Sequence, residues 1–131
     1  MKPVAVDTNL LVRLATGDDA REHRAVVAAL AARPWRVFST VILETEWVLR
    51  SIYGYSPAQF ADFVEWMDAS GRIVLTNAEA VRAAIAQHRA GLDFADALHM
   101  AQADGEPFLT LDKALLRKAA KLGLRAEGVG T

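Results

Sequence analysis

Short apolar runs and longer amphipathic stretches alternate along the chain, with turn residues between them. Pro3 to Val6 reads as a strand and leads directly into Asp7-Thr8-Asn9 and a short helix, Leu10 to Ala15. Gly17-Asp18-Asp19 is a turn ending in a good N-cap, and the Ala-rich helix Ala20 to Ala32 follows it and stops before Pro34. Arg36 to Ser39 is a short strand. Ser39 or Thr40 is suited to cap the next helix, Val41 to Tyr53, which ends at Gly54. Ser56-Pro57-Ala58-Gln59 is a strong helix start, with a hydroxyl cap, a proline in the first turn and a glutamine at the third position. That helix runs to about Ala69. Ile73 to Leu75 is a strand, and Thr76-Asn77-Ala78-Glu79 reads as a second capping box, opening a helix to Ala90 that Gly91 terminates. Asp93 to Asp104 is a helix, Phe108 to Leu111 a strand, Lys113 to Leu122 a helix ended by Gly123, and Ala126 to Val129 a last strand.

Strands that alternate with helices imply parallel pairing through right-handed crossovers. The expected fold is α/β: one three-layer α/β/α domain over residues 1–131, with a central parallel sheet of about four to five strands. In such folds chemistry gathers beyond the carboxyl ends of the strands.

Composition narrows the class. Of 131 residues, 53% are apolar, enough for a core without staples. There is no cysteine, so disulfides and thiolate metal sites are excluded, and a reducing cytoplasmic setting fits. The first residues meet Asp7 before any long apolar run, so no secretory signal is expected. No apolar run nears the roughly 20 residues of a membrane span. The net charge is −1, so the chain is not a generally basic nucleic-acid binder. Any such contact must come from local patches or through metal ions.

The acidic residues are the candidates for chemistry. Asp7 and Asp112 each directly follow a predicted strand, which places them at the carboxyl edge of a sheet, where aspartate also serves as an ordinary cap. Glu44 and Glu46 lie about 200° apart on one helix. On a helical wheel Glu44 falls between Trp47 and Val48 in the apolar arc, and Glu46 falls beside Arg50 at the polar border. A carboxylate on a core stripe costs several kcal/mol unless paired, protonated or metal-bound. Asp93 and Asp96 share a helical side, Asp93 as a plausible N-cap and Asp96 as a charge favourable to the helix dipole. Asp7, Glu44, Asp96 and Asp112 thus stand on separate elements able to converge at one sheet edge. Clustered carboxylates repel and raise one another's pKa, and divalent cations relieve this. All-oxygen ligands without Cys or clustered His favour Mg²⁺ or Mn²⁺ over Zn²⁺.

The remaining residues read more blandly. His99 falls toward Gln102, away from the apolar side. His23 sits in a charged stretch, and His88 lies near a helix end where a cation suits the dipole. Lys113, Arg117 and Lys121 form one helical stripe, a solvated face beside Asp112, with Lys113 and Arg117 also candidates for phosphate-backbone contact. Arg13 and Arg50 are candidates to flank the cleft. Trp35, Trp47 and Trp66 suit a core or an interface. Phe60, Phe63, Trp66 and Met67 have the spacing of a core face.

The segments VAVDTNLLVRL, FSTVILETEWVLRSIYG, GLDFADALHMAQA and FLTLDKALLRKA occur in an order that resembles the PIN-domain nucleases, and within them the toxins of VapBC-type toxin–antitoxin pairs. The resemblance covers nearly the whole chain. It maps the family's acidic positions onto Asp7, Glu44, Asp96 and Asp112, and an additional acidic position onto Asp93. It maps the small polar residues that support the metal site onto Thr8, Asn9 and Thr110. It implies an Mg²⁺- or Mn²⁺-dependent endoribonuclease that leaves 5′-phosphate and 3′-hydroxyl ends. It also implies a homodimer neutralised by a cognate antitoxin.

Two other classes compete. A phosphohydrolase or phospho-receiver domain also places an Asp after its first strand. The phosphohydrolase pattern wants a second Asp where Asn9 stands, and the receiver wants an early acidic pair that is missing, although Lys113 is available. A non-catalytic binding module would be favoured by a broken acidic set, and the set is intact.

Overall fold

The structure, a computed structural model, describes residues 1–130. These residues form two compact units, the first Met1–Ala78 and the second beginning at Glu79. Seven helices and five short parallel strands are present among them, so the mixed α/β expectation holds.

In the first unit the order is β1 (Val4–Ala5), α1 (Thr8–Thr16), α2 (Ala20–Ala32), β2 (Trp35–Val37), α3 (Ser39–Tyr53), α4 (Pro57–Ala69) and β3 (Ile73–Leu75). The strands pair in parallel as β1-β2-β3, with Val4 opposite Trp35 and Arg36 opposite Val74. Because this order runs in one direction, right-handed crossovers put the helices of both connections on one face. Burial alternates to match: Trp35 and Val37 of β2 and Ile73 and Leu75 of β3 are buried, while Val74 is exposed. Leu11, Ile42, Leu49, Phe60, Val64 and Met67 complete this core, all fully buried. Each such side chain contributes about 1.5–3 kcal/mol on leaving water, so packing dominates over the short strands' few hydrogen bonds.

The second unit contains α5 (Ala78–Arg89, opening at the boundary), α6 (Phe94–Ala103), β4 (Phe108–Thr110), α7 (Lys113–Lys121) and β5 (Ala126–Gly128). Strands β4 and β5 pair in parallel, Phe108 opposite Ala126, and α7 connects them. Val81, Ala84, Ile85, Leu92, Phe94, Ala97, Leu98, Leu115 and Ala119 are its buried apolar residues.

The expected single sheet of four to five strands is therefore a three-stranded sheet and a separate two-stranded one. Local pattern finds strands of two or three residues but says nothing of their neighbours, and two helices intervene between β3 and β4. Helix starts also shift. Asp7 itself caps α1, which therefore begins at Thr8 rather than Leu10. The N-cap of α3 is Phe38, without a side-chain bond of its own, so neither Ser39 nor Thr40 caps it. The hydroxyl of Thr76 accepts from the Ser39 N–H at 2.9 Å instead. Part of the polar group read as a capping box for α5 thus serves α3. The Ser56 box forms as expected, Ser56 accepting from the Gln59 N–H and Gln59 from the Ser56 N–H.

Candidate active site

In the first unit, Asp7 follows β1 in extended geometry and caps α1, one carboxylate oxygen accepting from the Leu10 N–H at 3.4 Å. Its side chain is exposed, and the second oxygen remains for another partner. Thr8 is buried and its hydroxyl donates to the carboxylate of Glu44 on α3. That bond fixes where Glu44 points. Asp7, Thr8, Asn9, Glu44 and Val48 line a recess of about 230 Å³.

The wheel reading of α3 needs correction. Glu46, not Glu44, lies in the core, at 3% exposure, and Glu44 is exposed. The buried face runs Ile42, Thr45, Glu46 and Leu49. Its spacing follows i, i+3, i+4 and i+7 from Ile42, and Trp47, which anchored the wheel, is 56% exposed. Glu46 tolerates burial because the Arg50 guanidinium reaches it at 2.8 Å one turn on, the pairing the sequence suggested. Trp66 is likewise exposed, stacked near Phe63, and the core face of α4 is Phe60, Ala61, Val64 and Met67. Only Trp35 of the three tryptophans is a core residue.

Arg13 is not held out for a phosphate. Its guanidinium pairs with Glu22 at 2.6 Å and Asp18 at 3.0 Å, and it donates to the Tyr53 hydroxyl, which in turn donates to Asp18. Hydroxyl donors from Thr16 and Tyr53 hold the Asp18 carboxyl below its ordinary range, and the Tyr53 bond, with Glu22 and Asp18, holds the Arg13 guanidinium above its own. The arginine ties α1 to the following turn, to α2 and to α3. His23, read from sequence as solvated, is half-buried and bonds the Arg13 carbonyl at 2.9 Å.

In the second unit, Asp93 caps α6 and accepts from the Asp96 N–H at 3.1 Å. Asp112 caps α7 and accepts from the Leu115 N–H at 3.1 Å, while its own N–H donates to the Thr110 hydroxyl at 3.0 Å. Asp96 is half-buried. Its carboxyl titrates above the ordinary range, first through desolvation and then through the charges of Asp93 and Asp112, with His99 and Lys118 acting the other way. The second unit therefore brings Asp93, Asp96 and Asp112 within electrostatic reach of one another. Lys113 and Arg117 are exposed on α7, and exposed His99 stacks on Phe108.

Asp7, Asp93 and Asp112 thus all fill the cap role that sequence preference gives aspartate, and each does so through one oxygen. Capping and metal binding are compatible uses of one carboxylate, since two oxygens offer about four acceptor positions. Carboxylates, hydroxyls and an Asn amide form a hard donor set suited to Mg²⁺ or Mn²⁺. Among the described residues no three His, Asp or Glu side chains already form a metal-holding cluster. Sequence reasoning missed the Arg13 network and the burial of His88. The apolar residues Leu92 and Phe94 just beyond His88 were the available signal for the latter.

The family model described as PIN domain matches residues 4–122. The match runs through both units and includes Asp7, Glu44, Asp93, Asp96 and Asp112. No curated protein matches the chain.

Proposed function

Because the chain belongs to the PIN domain family, whose members are typically divalent-metal-dependent nucleases, we propose that it is an endoribonuclease and the toxin of a toxin–antitoxin pair. The observation that carries the reading is Asp96: a half-buried carboxylate pressed by Asp93 and Asp112, in a donor set that a cation would relieve. Family membership favours this over the phosphohydrolase and phospho-receiver folds. The same reading takes residues 1–131 as one domain acting in the cytoplasm; no helix among the described residues is long and apolar enough to cross a membrane.

Asp7, Glu44, Asp96 and Asp112 are the residues we assign to Mg²⁺, with Mn²⁺ as a substitute. Asp93, Thr8, Asn9 and Thr110 support them. When bound, the metal lowers the pKa of water and offsets charge on the phosphate under attack. The protein's own part is orientation. Caps fix Asp7, Asp93 and Asp112 at helix starts, and Thr8 aims Glu44. Lys113 and Arg117, both exposed, are the side chains we assign to contact with a phosphate backbone.

The antitoxin reading draws on the first unit's surface. Leu14, Val27, Leu30, Trp66 and Arg72 line a mostly apolar groove of about 590 Å³, the kind of surface an amphipathic partner helix fills. The chain would act as a homodimer in that assembly. Incubation of purified protein with total cellular RNA, with Mg²⁺, Mn²⁺ or EDTA, tests the enzymatic claim. Metal-dependent fragments carrying 5′-phosphates are expected. Intact RNA at every metal concentration, from protein free of any copurified partner, would favour the non-catalytic binding module.

A further inference from the structure

His88 lies in the last turn of α5 with its ring in the core, at 5% exposure. Its Nδ1 lies 2.8 Å from the carbonyl oxygen of Leu92, and its ring meets Phe94 edge-on with centroids 5.6 Å apart. A carbonyl only accepts, so Nδ1 carries the proton and donates. The chain between these contacts is tied down by its backbone as well. The Gly91 N–H donates to the His88 carbonyl at 3.0 Å and the Leu92 N–H to the Gln87 carbonyl at 3.1 Å. Gly91 sits at φ +109°, which a side chain would strain, so the helix turns off sharply here.

The residue that emerges from this turn is Asp93. It is exposed between Leu92 and Phe94, which are 1% and 0% exposed, and it starts α6 by accepting the Asp96 N–H on its side chain and the Ala97 N–H on its carbonyl. The imidazole grips both neighbours of Asp93, one by a hydrogen bond and one by ring contact.

We infer that His88 is a positioning residue for the acidic set of the second unit: its Nδ1–H fixes the Leu92 carbonyl, and through it the angle at which Asp93 and Asp96 are presented. Removing the donor would strand a carbonyl in a buried segment and let the first turn of α6 swing. The assignment of Asp93 and Asp96 to the nuclease rests on the preceding proposal. The placement of the turn does not.

Two variants separate the donor from the ring. His88→Phe keeps an aromatic ring against Phe94 and loses the N–H. His88→Asn loses the ring and keeps an N–H near the place of Nδ1. The first readout is amide exchange at Ala97, whose N–H makes the first helical bond of α6, taken relative to Ile85 within α5 in the same protein. The inference expects about tenfold faster relative exchange in His88→Phe, the scale of one lost hydrogen bond. His88→Asn should stay close to wild type. Unchanged relative exchange in His88→Phe, or the same change in both variants, would overturn it. So would a stable His88→Phe beside an unfolded His88→Asn, since packing alone predicts that order. Failure of His88→Phe to fold beside a wild-type-like His88→Asn would support it.

The second readout is RNA cleavage at saturating metal. His88→Phe should lower kcat with KM nearly unchanged, and His88→Asn should restore it. A wild-type protein that cuts no RNA would strike the nuclease proposal and leave the exchange result to decide this one.

Discussion

The two units hold their carboxylates in different ways. In the first, Asp7 and Glu44 are both exposed, and each is steadied by a neutral donor: the Leu10 N–H for Asp7, the Thr8 hydroxyl for Glu44. In the second, burial and then the charges of Asp93 and Asp112 raise the half-buried Asp96 carboxyl, with His99 and Lys118 acting the other way. The first pair is held by donated hydrogen bonds, and the second set contains a carboxyl that burial, and then its neighbours' charge, push above the ordinary range. Carboxylates that one proposal assigns to the same metal thus stand in different surroundings, and the half-buried Asp96 is the one to perturb first.

Asp96→Asn should give the largest effect. It keeps the shape and removes the charge, so cleavage should fall about 100-fold or more, the scale of losing one stabilising group in an active site. In metal-free buffer the same change should raise Tm, because it removes a charge that is half-buried and crowded by Asp93 and Asp112. Rate assays and thermal melts in EDTA check the two halves of that expectation. A lowered Tm would mean that Asp96 is stabilising as a charge, against the comparison drawn above.

The next contrast is on α3. Glu46→Ala should cost about 2 kcal/mol, since it removes a buried charge-assisted bond to Arg50. Glu44→Gln should stay within about 0.5 kcal/mol of wild type, because an exposed amide still accepts from Thr8, while cleavage drops. Urea melts beside cleavage rates would show it. Equal stability losses in both would contradict the burial assignment.

A smaller effect separates capping from catalysis. Asp112→Asn keeps an excellent cap, whereas Asp112→Ala loses one and should cost about 1 kcal/mol. Both should lose cleavage alike. An active Asp112→Asn would reduce Asp112 to a cap.

The smallest is the pH dependence without metal. The Asp96 carboxyl titrates higher in the folded chain than in the unfolded one, so the fold favours its protonated form. Its contribution to stability is therefore present at low pH and lost as pH rises through the raised value. The Tm advantage of Asp96→Asn over wild type should grow upward from about pH 4, near the ordinary aspartate value, and then level off. A gap that shrinks with pH would reverse the sign.

Much of this was legible in sequence because it rests on local chemistry. Asp93 and Asp112 could be read as helix starts from residue preference alone, and the Ser56 box from its spacing, whereas Asp7 starts α1 ahead of the expected Leu10. Tertiary facts were not legible. Glu44 and Glu46 exchanged places because a wheel anchored on Trp47 presumes that every tryptophan faces the core, whereas Thr45 and a paired glutamate fill that face here. Thr76 serves a helix 37 residues earlier, and Arg13 is spoken for by partners on other elements, which no local window reveals. The sheet was overcounted for the same reason: strand pairing is a long-range choice.

The most direct test of the central claim, that both acidic sets serve one metal-dependent reaction, is cleavage of a defined RNA in Mn²⁺ by wild type, Asp7→Asn and Asp96→Asn side by side. Both substitutions conserve caps and shape, so folding is not in question. Each single change should remove cleavage to a similar depth, and combining them should cost little more, as for residues acting as a unit. Full activity in either variant would contradict it.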